Sequence, residues 1–265
     1  MSGFILRPDE LKKNFKNYII LDCRENMSDS EHISGSYFVD GESVLSGKKG
    51  LHGGRHPFPD MDEFVKKMED LGVSDSSKAA CFGDFGARAV FMLRLFGITA
   101  SFISGDIETL KKAGIPFDND NVAPVLKKGK ITGKINEDLL VSMGKVRKNI
   151  NNTQHILIDS RSGERYRGEN EPLDPIAGRI PNAVNFFWQE LIKPDGTVLS
   201  DEEIRERFNI DTGKNITLYC GSGVTACFNW LALRQIGVEC SIYAGSWSDW
   251  ISYPENLDLI EPKIH

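Results

Sequence analysis

The stretch ITLYCGSGVTACFNW, residues 216–230, decides the fold of the second half of the chain. Its first part, 216–219, is rich in apolar residues and predicts a buried strand, which ends at Cys220. A Gly-Ser-Gly turn follows, and after it apolar residues recur at helical spacing until Gly237, which is placed to end the helix. A strand that passes through a glycine-rich turn into a helix is typical of α/β units on a mostly parallel sheet.

The first half of the chain repeats this pattern. Three pairs of segments correspond: 18–25 with 155–162, 31–40 with 178–186, and 87–106 with 227–246. The offset is 137 at the first pair and 140 at the last, so we infer an internal duplication. We expect two α/β domains, at 1–116 and 129–265, joined by a polar linker near 117–128.

Composition limits the class of protein. The chain has 265 residues, of which 40% are hydrophobic and 26% charged, as in an ordinary soluble protein. A net charge of −6 argues against nucleic-acid binding, which needs a basic surface. The apolar N-terminal part, 4–6, is too short for a signal-peptide core, and no run is long enough to span a membrane. We therefore expect a cytoplasmic protein with no membrane association.

The five cysteines form no paired Cys-x-x-Cys pattern, which argues against disulfides or structural zinc. No metal or organic cofactor is implied. Cys220 is the candidate for a reactive thiol, because unpaired amides at a helix N-terminus stabilise an anion and Gly221 and Gly223 let the turn curl around it. The alternative is an inert buried cysteine. A cysteine phosphatase is not supported, since Ala226 stands where Cys-x5-Arg needs arginine.

The motif CGSGVTA, residues 220–226, resembles the active-site loop of 3-mercaptopyruvate sulfurtransferases, members of the rhodanese-like family. Other segments resemble family motifs in the same order: EHISGSYF (31–38), GGRHPFP (53–59), DSRSGERYRG (159–168), GRIPNAVN (178–185) and YAGSWSDW (243–250). The resemblance implies two tandem rhodanese-like domains, each a mostly parallel sheet flanked by helices.

The resemblance also implies a two-step reaction. The thiolate of Cys220 takes sulfur from the small-molecule donor 3-mercaptopyruvate as a persulfide and releases pyruvate. A thiol acceptor such as thioredoxin or a small thiol, or cyanide, then removes the outer sulfur. The backbone of the loop would bind substrate and persulfide through Gly221, Gly223, Val224 and Thr225.

Further site residues follow from the family motifs. Arg165 matches the arginine that binds the substrate carboxylate, and Ser222 matches a serine thought to polarise the substrate carbonyl. Asp40 and His56, which we expect to come from the first domain, would stand behind Ser222 as a relay. Asp159 and Arg161 recur in the other half, so we expect that pair to be structural.

One departure concerns substrate preference. Mercaptopyruvate enzymes carry a second arginine nine residues after the first, but here that position is Asp174, as in thiosulfate enzymes. Arg167 or Arg179 could supply the missing charge. Thiosulfate enzymes, in turn, carry basic residues after the cysteine, where this chain has Gly221. The alternatives are thus a thiosulfate sulfurtransferase and a relay module that receives persulfide from a protein.

The corresponding loop of the first half is CFGDFGARAV, residues 81–90. Matching strand ends places Phe82 opposite Cys220 and makes the loop about two residues shorter. Because phenylalanine cannot carry sulfur, we expect the first domain to be catalytically silent. Of the other cysteines, three are expected in the core (Cys81, Cys227 and Cys240), and Cys23 is expected to be partly exposed.

Overall fold

The computed structural model describes residues 3–25, 31–119 and 127–262. Contacts divide the chain into two compact units. The first comprises Met1–Gly47, Pro59–Asn136 and Ile192–Leu199, and the second Lys48–Phe58, Glu137–Leu191 and Ser200–His265. Most of the linker predicted near 117–128 lies outside the described residues, and the predicted domain boundaries stay a prediction.

The described part of the first unit contains a five-stranded parallel sheet in the order β1-β6-β5-β2-β4, and β3 pairs antiparallel with β7. Its elements are β1 (Ile5–Leu6), α1 (Pro8–Asn14), a 3-10 turn (Phe15–Asn17), β2 (Ile19–Asp22), β3 (His32–Ile33), β4 (Tyr37–Phe38), α2 (Met61–Asp70), β5 (Lys78–Phe82), α3 (Gly86–Leu95), β6 (Thr99–Ile103), α4 (Ile107–Lys112) and β7 (Phe117–Asp118).

The second unit, as far as it is described, contains a four-stranded parallel sheet in the order β11-β10-β8-β9. Its elements are a 3-10 turn (Glu137–Leu139), α5 (Met143–Asn149), β8 (His155–Asp159), α6 (Gly163–Arg167), β9 (Val184–Asn185), a 3-10 turn (Trp188–Leu191), α7 (Asp201–Arg207), β10 (Asn215–Tyr219), α8 (Ala226–Gln235), β11 (Ser241–Ile242), α9 (Ser246–Trp250) and α10 (Pro254–Leu257). The order matches β6-β5-β2-β4 of the first unit.

Local sequence explains where these elements begin and end. Asp60 caps α2 by accepting hydrogen bonds from two backbone amides, and Ser200 forms a capping box with Glu203 at the start of α7. Gly97 and Gly237 follow α3 and α8 with φ of 76° and 85°, a conformation that glycine adopts without strain. Both helices therefore end where the sequence predicts.

The strand register corrects the sequence match between the two loops. Asp22 pairs with Phe82, and Asp159 pairs with Tyr219. Phe82 therefore corresponds to Tyr219, and Gly83, not Phe82, corresponds to Cys220. The match failed because parallel pairing between distant strands fixes where a strand ends, and the apolar pattern alone leaves one residue of freedom.

Neither a helix able to cross a membrane nor a metal-binding cluster of His, Cys, Asp and Glu occurs within the described ranges. All five cysteines lie in these ranges, where each is a buried thiol without a disulfide. The partial exposure expected for Cys23 is wrong, because the residue is 0% exposed and packed beside β5.

Candidate active site

Cys220 lies directly after β10, at the start of a loop that leads into α8. Its side chain is buried, and its Sγ accepts a hydrogen bond from the backbone N–H of Gly223 at 3.1 Å. The start of α9 holds the backbone on the other side. The hydroxyl of Ser246 accepts from the Cys220 N–H at 3.1 Å, and the Trp247 N–H donates to the Cys220 carbonyl at 3.0 Å. The backbone of Cys220 is thus held by the start of α9, and its sulfur by the loop.

The pKa of the Cys220 thiol is lowered from its usual value. Burial by itself raises this pKa, but hydrogen bonds to the sulfur outweigh burial. They come from the Thr225 hydroxyl and from the backbone N–H groups of Ala226, Ser222 and Gly223. In contrast, burial raises the pKa of Cys240, which lies outside the loop. The thiolate, the nucleophilic form, is therefore favoured at Cys220.

The shape of the loop depends on Gly223. Its φ of 77° is unfavourable for residues with a side chain, and a Cβ there would collide with the carbonyl oxygen of Ala244. Because glycine has no Cβ, the loop can pass close to Ala244 and adopt the conformation in which the Gly223 N–H donates to the sulfur. Val224 accepts a hydrogen bond from the Cys227 N–H and lies before α8 begins, so its backbone shapes the turn.

Ser222 and His56 are in direct contact. The His56 Nδ1 lies 2.7 Å from the Ser222 Oγ. Ser222, which follows Gly221 in the loop, is buried. The segment that carries His56, Lys48–Phe58, groups by its contacts with the second unit, although the sequence match suggested the first domain. A proton can therefore be shared between Ser222 and His56 within the unit that holds Cys220.

Asp40, the third predicted member of the relay, belongs to the first unit. Its Oδ1 accepts hydrogen bonds from the backbone N–H and the hydroxyl of Ser43, at 2.7 and 2.6 Å. These bonds form a local turn, and the catalytic role of Asp40 stays a prediction.

Arg165 extends from α6 towards the cysteine loop. Glu171 binds its guanidinium through Nε at 2.9 Å and Nη2 at 2.8 Å, and Asp174 accepts from Nη2 at 3.2 Å. Burial raises the pKa of Glu171, but the contacts with Arg165, the Leu173 N–H and the charge of Arg161 outweigh it, so the pKa is lowered. A Cβ at Gly221 would lie 3.1 Å from Arg165 Nη2, so the guanidinium borders the residue that follows Cys220.

The sequence did not single out Arg55, which reaches the same place. Its Nη1 forms an ion pair with Asp174, and its Nη2 lies 3.0 Å from where a Cβ of Gly221 would stand. Two features of the sequence are consistent with this position. Arg55 directly precedes the predicted site residue His56, and the acidic Asp174 needs a cationic partner once it is buried.

The two arginines proposed to supply the missing charge are engaged elsewhere. Arg167 pairs with Glu169 at 2.7 Å, and Arg179 pairs with Glu261 at 3.2 Å and lies over the Tyr166 ring. Neither contact leads to the cysteine loop. Arg55 is therefore the second arginine that borders Gly221.

The Asp159–Arg161 pair is a buried ion pair, as expected. Arg161 Nη2 lies 2.6 Å from Asp159 and 2.7 Å from the Gly178 carbonyl. Asp22 and Arg24 make the corresponding bond at 2.6 Å. In each unit this pair joins the strand that carries the aspartate to the loop after it.

Comparison with known proteins agrees with this geometry. The model of the rhodanese-like domain matches residues 142–253, a range that includes Cys220 and Arg165. A Pseudomonas aeruginosa protein named "Probable 3-mercaptopyruvate sulfurtransferase" is 34% identical, over 89% of this chain and 90% of its own. The chicken thiosulfate sulfurtransferase is 29% identical, over 72% of this chain and 70% of its own.

Solved structures show the same architecture. The 3-mercaptopyruvate sulfurtransferase from Leishmania major superposes with a TM-score of 0.81 at 26% identity, over 94% of this chain and 74% of its own. The fold expected from the sequence, α/β with two rhodanese-like domains, is confirmed. With a relative one third identical over nearly its whole length, a matching domain model and a buried, activated cysteine in the expected loop, the chain belongs to the rhodanese-like sulfurtransferase family.

Proposed function

We propose that the protein transfers sulfur from 3-mercaptopyruvate to a thiol acceptor through a persulfide on Cys220. The observation that carries this proposal is the hydrogen-bonding of the Cys220 sulfur by the Thr225 hydroxyl and three backbone amides, which lowers its pKa in a buried site. These donors stabilise negative charge on the sulfur. They would serve a thiolate and a persulfide anion equally well.

In the first step the Cys220 thiolate attacks the sulfur atom of 3-mercaptopyruvate. A sulfur–sulfur bond forms, and the electrons of the carbon–sulfur bond pass to the leaving carbon, which becomes the enolate of pyruvate. The proton of the substrate thiol ends on this carbon. The products are pyruvate and a Cys220 persulfide anion, so atoms and charge balance without an external oxidant or reductant.

Ser222 and His56 would act on the enolate. Their hydrogen bond of 2.7 Å lets the Ser222 hydroxyl point at a developing oxyanion while His56 holds or shares its proton. Asp40 is retained in the proposal as a further member of this relay. Arg165 would bind the substrate carboxylate through Nη1, because its Nε and Nη2 are bonded to Glu171 and Asp174.

In the second step an acceptor thiolate attacks the outer sulfur of the persulfide. The new persulfide leaves on the acceptor, and Cys220 returns as a thiolate held by the same donors. A small thiol or the dithiol of thioredoxin fits this step, and cyanide would leave as thiocyanate. We also propose that the protein is located in the cytoplasm and that its two units arose by duplication.

Two alternatives use the same cysteine. A thiosulfate enzyme is favoured by Asp174, but Asp174 is buried in ion pairs with Arg55 and Arg165, so a negative charge at this position does not remove positive charge from the site. A relay fed by a partner protein would need no carboxylate-binding arginines. Both arginines at Gly221 therefore favour a small-molecule donor that carries a carboxylate.

Steady-state sulfur transfer to a thiol acceptor tests the proposal, with 3-mercaptopyruvate compared with thiosulfate and Cys220→Ser as the blank. We expect a clearly higher kcat/KM for 3-mercaptopyruvate and no turnover by Cys220→Ser. A preference for thiosulfate would replace the proposed donor. No turnover of either small donor by the wild-type protein would favour the relay.

A further inference from the structure

Guanidinium groups from two separate segments border the space where a side chain of residue 221 would lie. Three nitrogen atoms lie within 3.3 Å of the position that a Cβ of Gly221 would occupy: Nη2 of Arg55 and both Nη1 and Nη2 of Arg165. Gly221 directly follows the nucleophile Cys220. A larger residue at 221, such as the basic residue of thiosulfate enzymes, would occupy the space into which both arginines extend.

Each of the two arginines has a donor group that bonds to no atom in the described part of the chain. Within the described ranges, Arg55 is bonded through Nη1 to Asp174 and through its backbone N–H to Ser248, which leaves its Nη2 without a hydrogen-bond partner. Arg165 is bonded through Nε and Nη2, which leaves its Nη1 without one. These two unused donors are among the three atoms that border Gly221. An anion bound there would receive hydrogen bonds from both side chains.

Asp174 holds the two cations together. Its Oδ1 accepts from Arg55 and its Oδ2 accepts from Arg165, and its side chain is only 2% exposed. Without this carboxylate, two guanidinium groups this close would repel each other. Glu171 orients Arg165 from the far side, so its remaining Nη1 stays directed towards the loop. The aspartate at 174 therefore builds a two-arginine site and does not weaken it.

The segment that carries Arg55 is fastened to the second unit by its backbone. The Gly53 N–H donates to Asp249 Oδ1 at 2.6 Å, and the Arg55 N–H donates to Ser248 Oγ at 3.0 Å. Asp249 also accepts from the Tyr243 hydroxyl at 2.6 Å. Gly54 adopts a φ of 80° and would bring a Cβ within 2.5 Å of the Gly245 carbonyl oxygen. Arg55 is thus held against the region that supports Cys220.

We propose that Arg55 is the second substrate-carboxylate-binding residue of this enzyme and that it replaces the arginine absent at position 174. The inference rests on the proposed function. The carboxylate of the keto acid lies between Arg55 and Arg165 above Gly221, and Asp174 keeps the two guanidinium groups in place. The same arrangement sets specificity, because the small Gly221 leaves room for both guanidinium groups, and the pair of cations favours a donor with a carboxylate.

The test compares Arg55→Met with a control, Arg167→Met. The control also removes a guanidinium group, but that of Arg167 is exposed on α6 and paired with Glu169. For Arg55→Met we expect the KM for 3-mercaptopyruvate to rise roughly 10- to 100-fold, because hydrogen bonds from a charged group to the substrate are lost. The change in kcat should be smaller. Arg167→Met should keep the wild-type KM. Arg55→Lys keeps the charge without the planar fork and should give an intermediate KM.

A binding measurement separates this inference from the proposed function. Calorimetric titration of Cys220→Ser with pyruvate, which has the carboxylate but no sulfur, should show weaker binding when Arg55→Met is added, by a similar factor. Unchanged KM and unchanged pyruvate affinity in Arg55→Met would overturn the role of Arg55, even if the wild-type protein turns over 3-mercaptopyruvate. If the wild-type protein lacks that turnover, the proposed function fails, and the titration still decides whether Arg55 binds carboxylate.

Discussion

The loop after β5 and the loop after β10 begin at equivalent positions of two similar sheets, yet they differ in length and in chemistry. Between strand and helix the first unit has the three residues 83–85, and the second has the six residues 220–225. The register gives an offset of 137 before the loops and 140 after them. The difference of three residues seen in the sequence therefore lies in this loop.

The two loops use their backbone amides differently. In the short loop the Phe85 N–H donates to the Cys23 carbonyl and the Gly86 N–H to the Gly83 carbonyl. In the long loop the amides of Ser222, Gly223 and Ala226 donate to the Cys220 sulfur. The amides of Phe85 and Gly86 at the end of the short loop are thus bonded to carbonyl oxygens, whereas their counterparts in the long loop converge on a sulfur.

The position that corresponds to Cys220 is also filled differently. Gly83 has a φ of 94°, and a Cβ there would lie 2.6 Å from the backbone nitrogen of Arg24. No side chain fits at this position without moving the Asp-x-Arg turn. The comparison teaches that the sheet and its buried ion pair are common to both units, whereas three added residues create the space and the donors that activate a thiol.

The largest expected effect comes from exchanging the nucleophile between the loops. Cys220→Ser should abolish sulfur transfer, a loss on the order of 10³ or more that takes it to the blank, since covalent catalysis is lost. Adding Gly83→Cys to this variant should not restore transfer, because the amides of Phe85 and Gly86 are already bonded to carbonyls and the short loop has no counterpart of Thr225. Steady-state assays with 3-mercaptopyruvate measure both. Cys81→Ser is the matched control, since Cys81 is a buried strand residue of the short-loop unit, and it should stay active.

Recovery of transfer in the Gly83→Cys, Cys220→Ser double variant would contradict this explanation. It would mean that loop length and amide direction matter less than the position at the end of the central strand. A folded control is available, because binding of a carboxylate at Arg165 does not depend on either cysteine. Pyruvate titration of the double variant therefore distinguishes an inactive folded protein from an unfolded one.

A smaller effect is expected on the pH dependence. The pKa of Cys220 lies below its usual value, so the thiolate is present from a lower pH upward. Thr225→Val removes the hydroxyl that contributes most to this lowering, so the pKa should rise and kcat/KM should increase only at higher pH. At acidic pH we expect roughly tenfold lower kcat/KM than in the wild type, with convergence at alkaline pH.

The pH profile of kcat/KM for 3-mercaptopyruvate measures this shift. Thr197→Val is the matched control, because the Thr197 hydroxyl donates to Asp195 at 2.6 Å in the first unit. Its profile should follow the wild type. An unshifted profile for Thr225→Val would mean that the backbone amides alone lower the pKa of Cys220.

Much of the fold could be predicted from the sequence because its signals are local. The apolar strand before Cys220 and the helix that follows the loop and ends before Gly237 are predicted by short-range patterns, and the structure confirms them. The resemblance of the cysteine loop also pointed to Cys220 as the candidate nucleophile. Its activation by a lowered pKa agrees with the expectation from a helix N-terminus.

The parts that the sequence missed depend on distant segments. The equivalence of Gly83 and Cys220 required the pairing between strands, which apolar patterns fix only to within a residue. Arg55 lies 119 positions before its partner Asp174, so no local pattern connects them. Sequence reasoning treated Asp174 as a lost arginine, because the side chain that compensates for it comes from another part of the chain.

The smallest effect tests how alike the two units remain outside these loops. Gly97→Ala and Gly237→Ala replace the glycines that end α3 and α8, both with positive φ and both with no atom within 4 Å of an added Cβ. The cost is therefore confined to the backbone, about 1–2 kcal/mol of unfolding free energy for each. Urea unfolding should show similar losses, and sulfur transfer should be unchanged. A larger loss for Gly237→Ala, or a loss of activity, would mean that the end of α8 is coupled to the cysteine loop at its start, a difference between the units that their matching helices do not show.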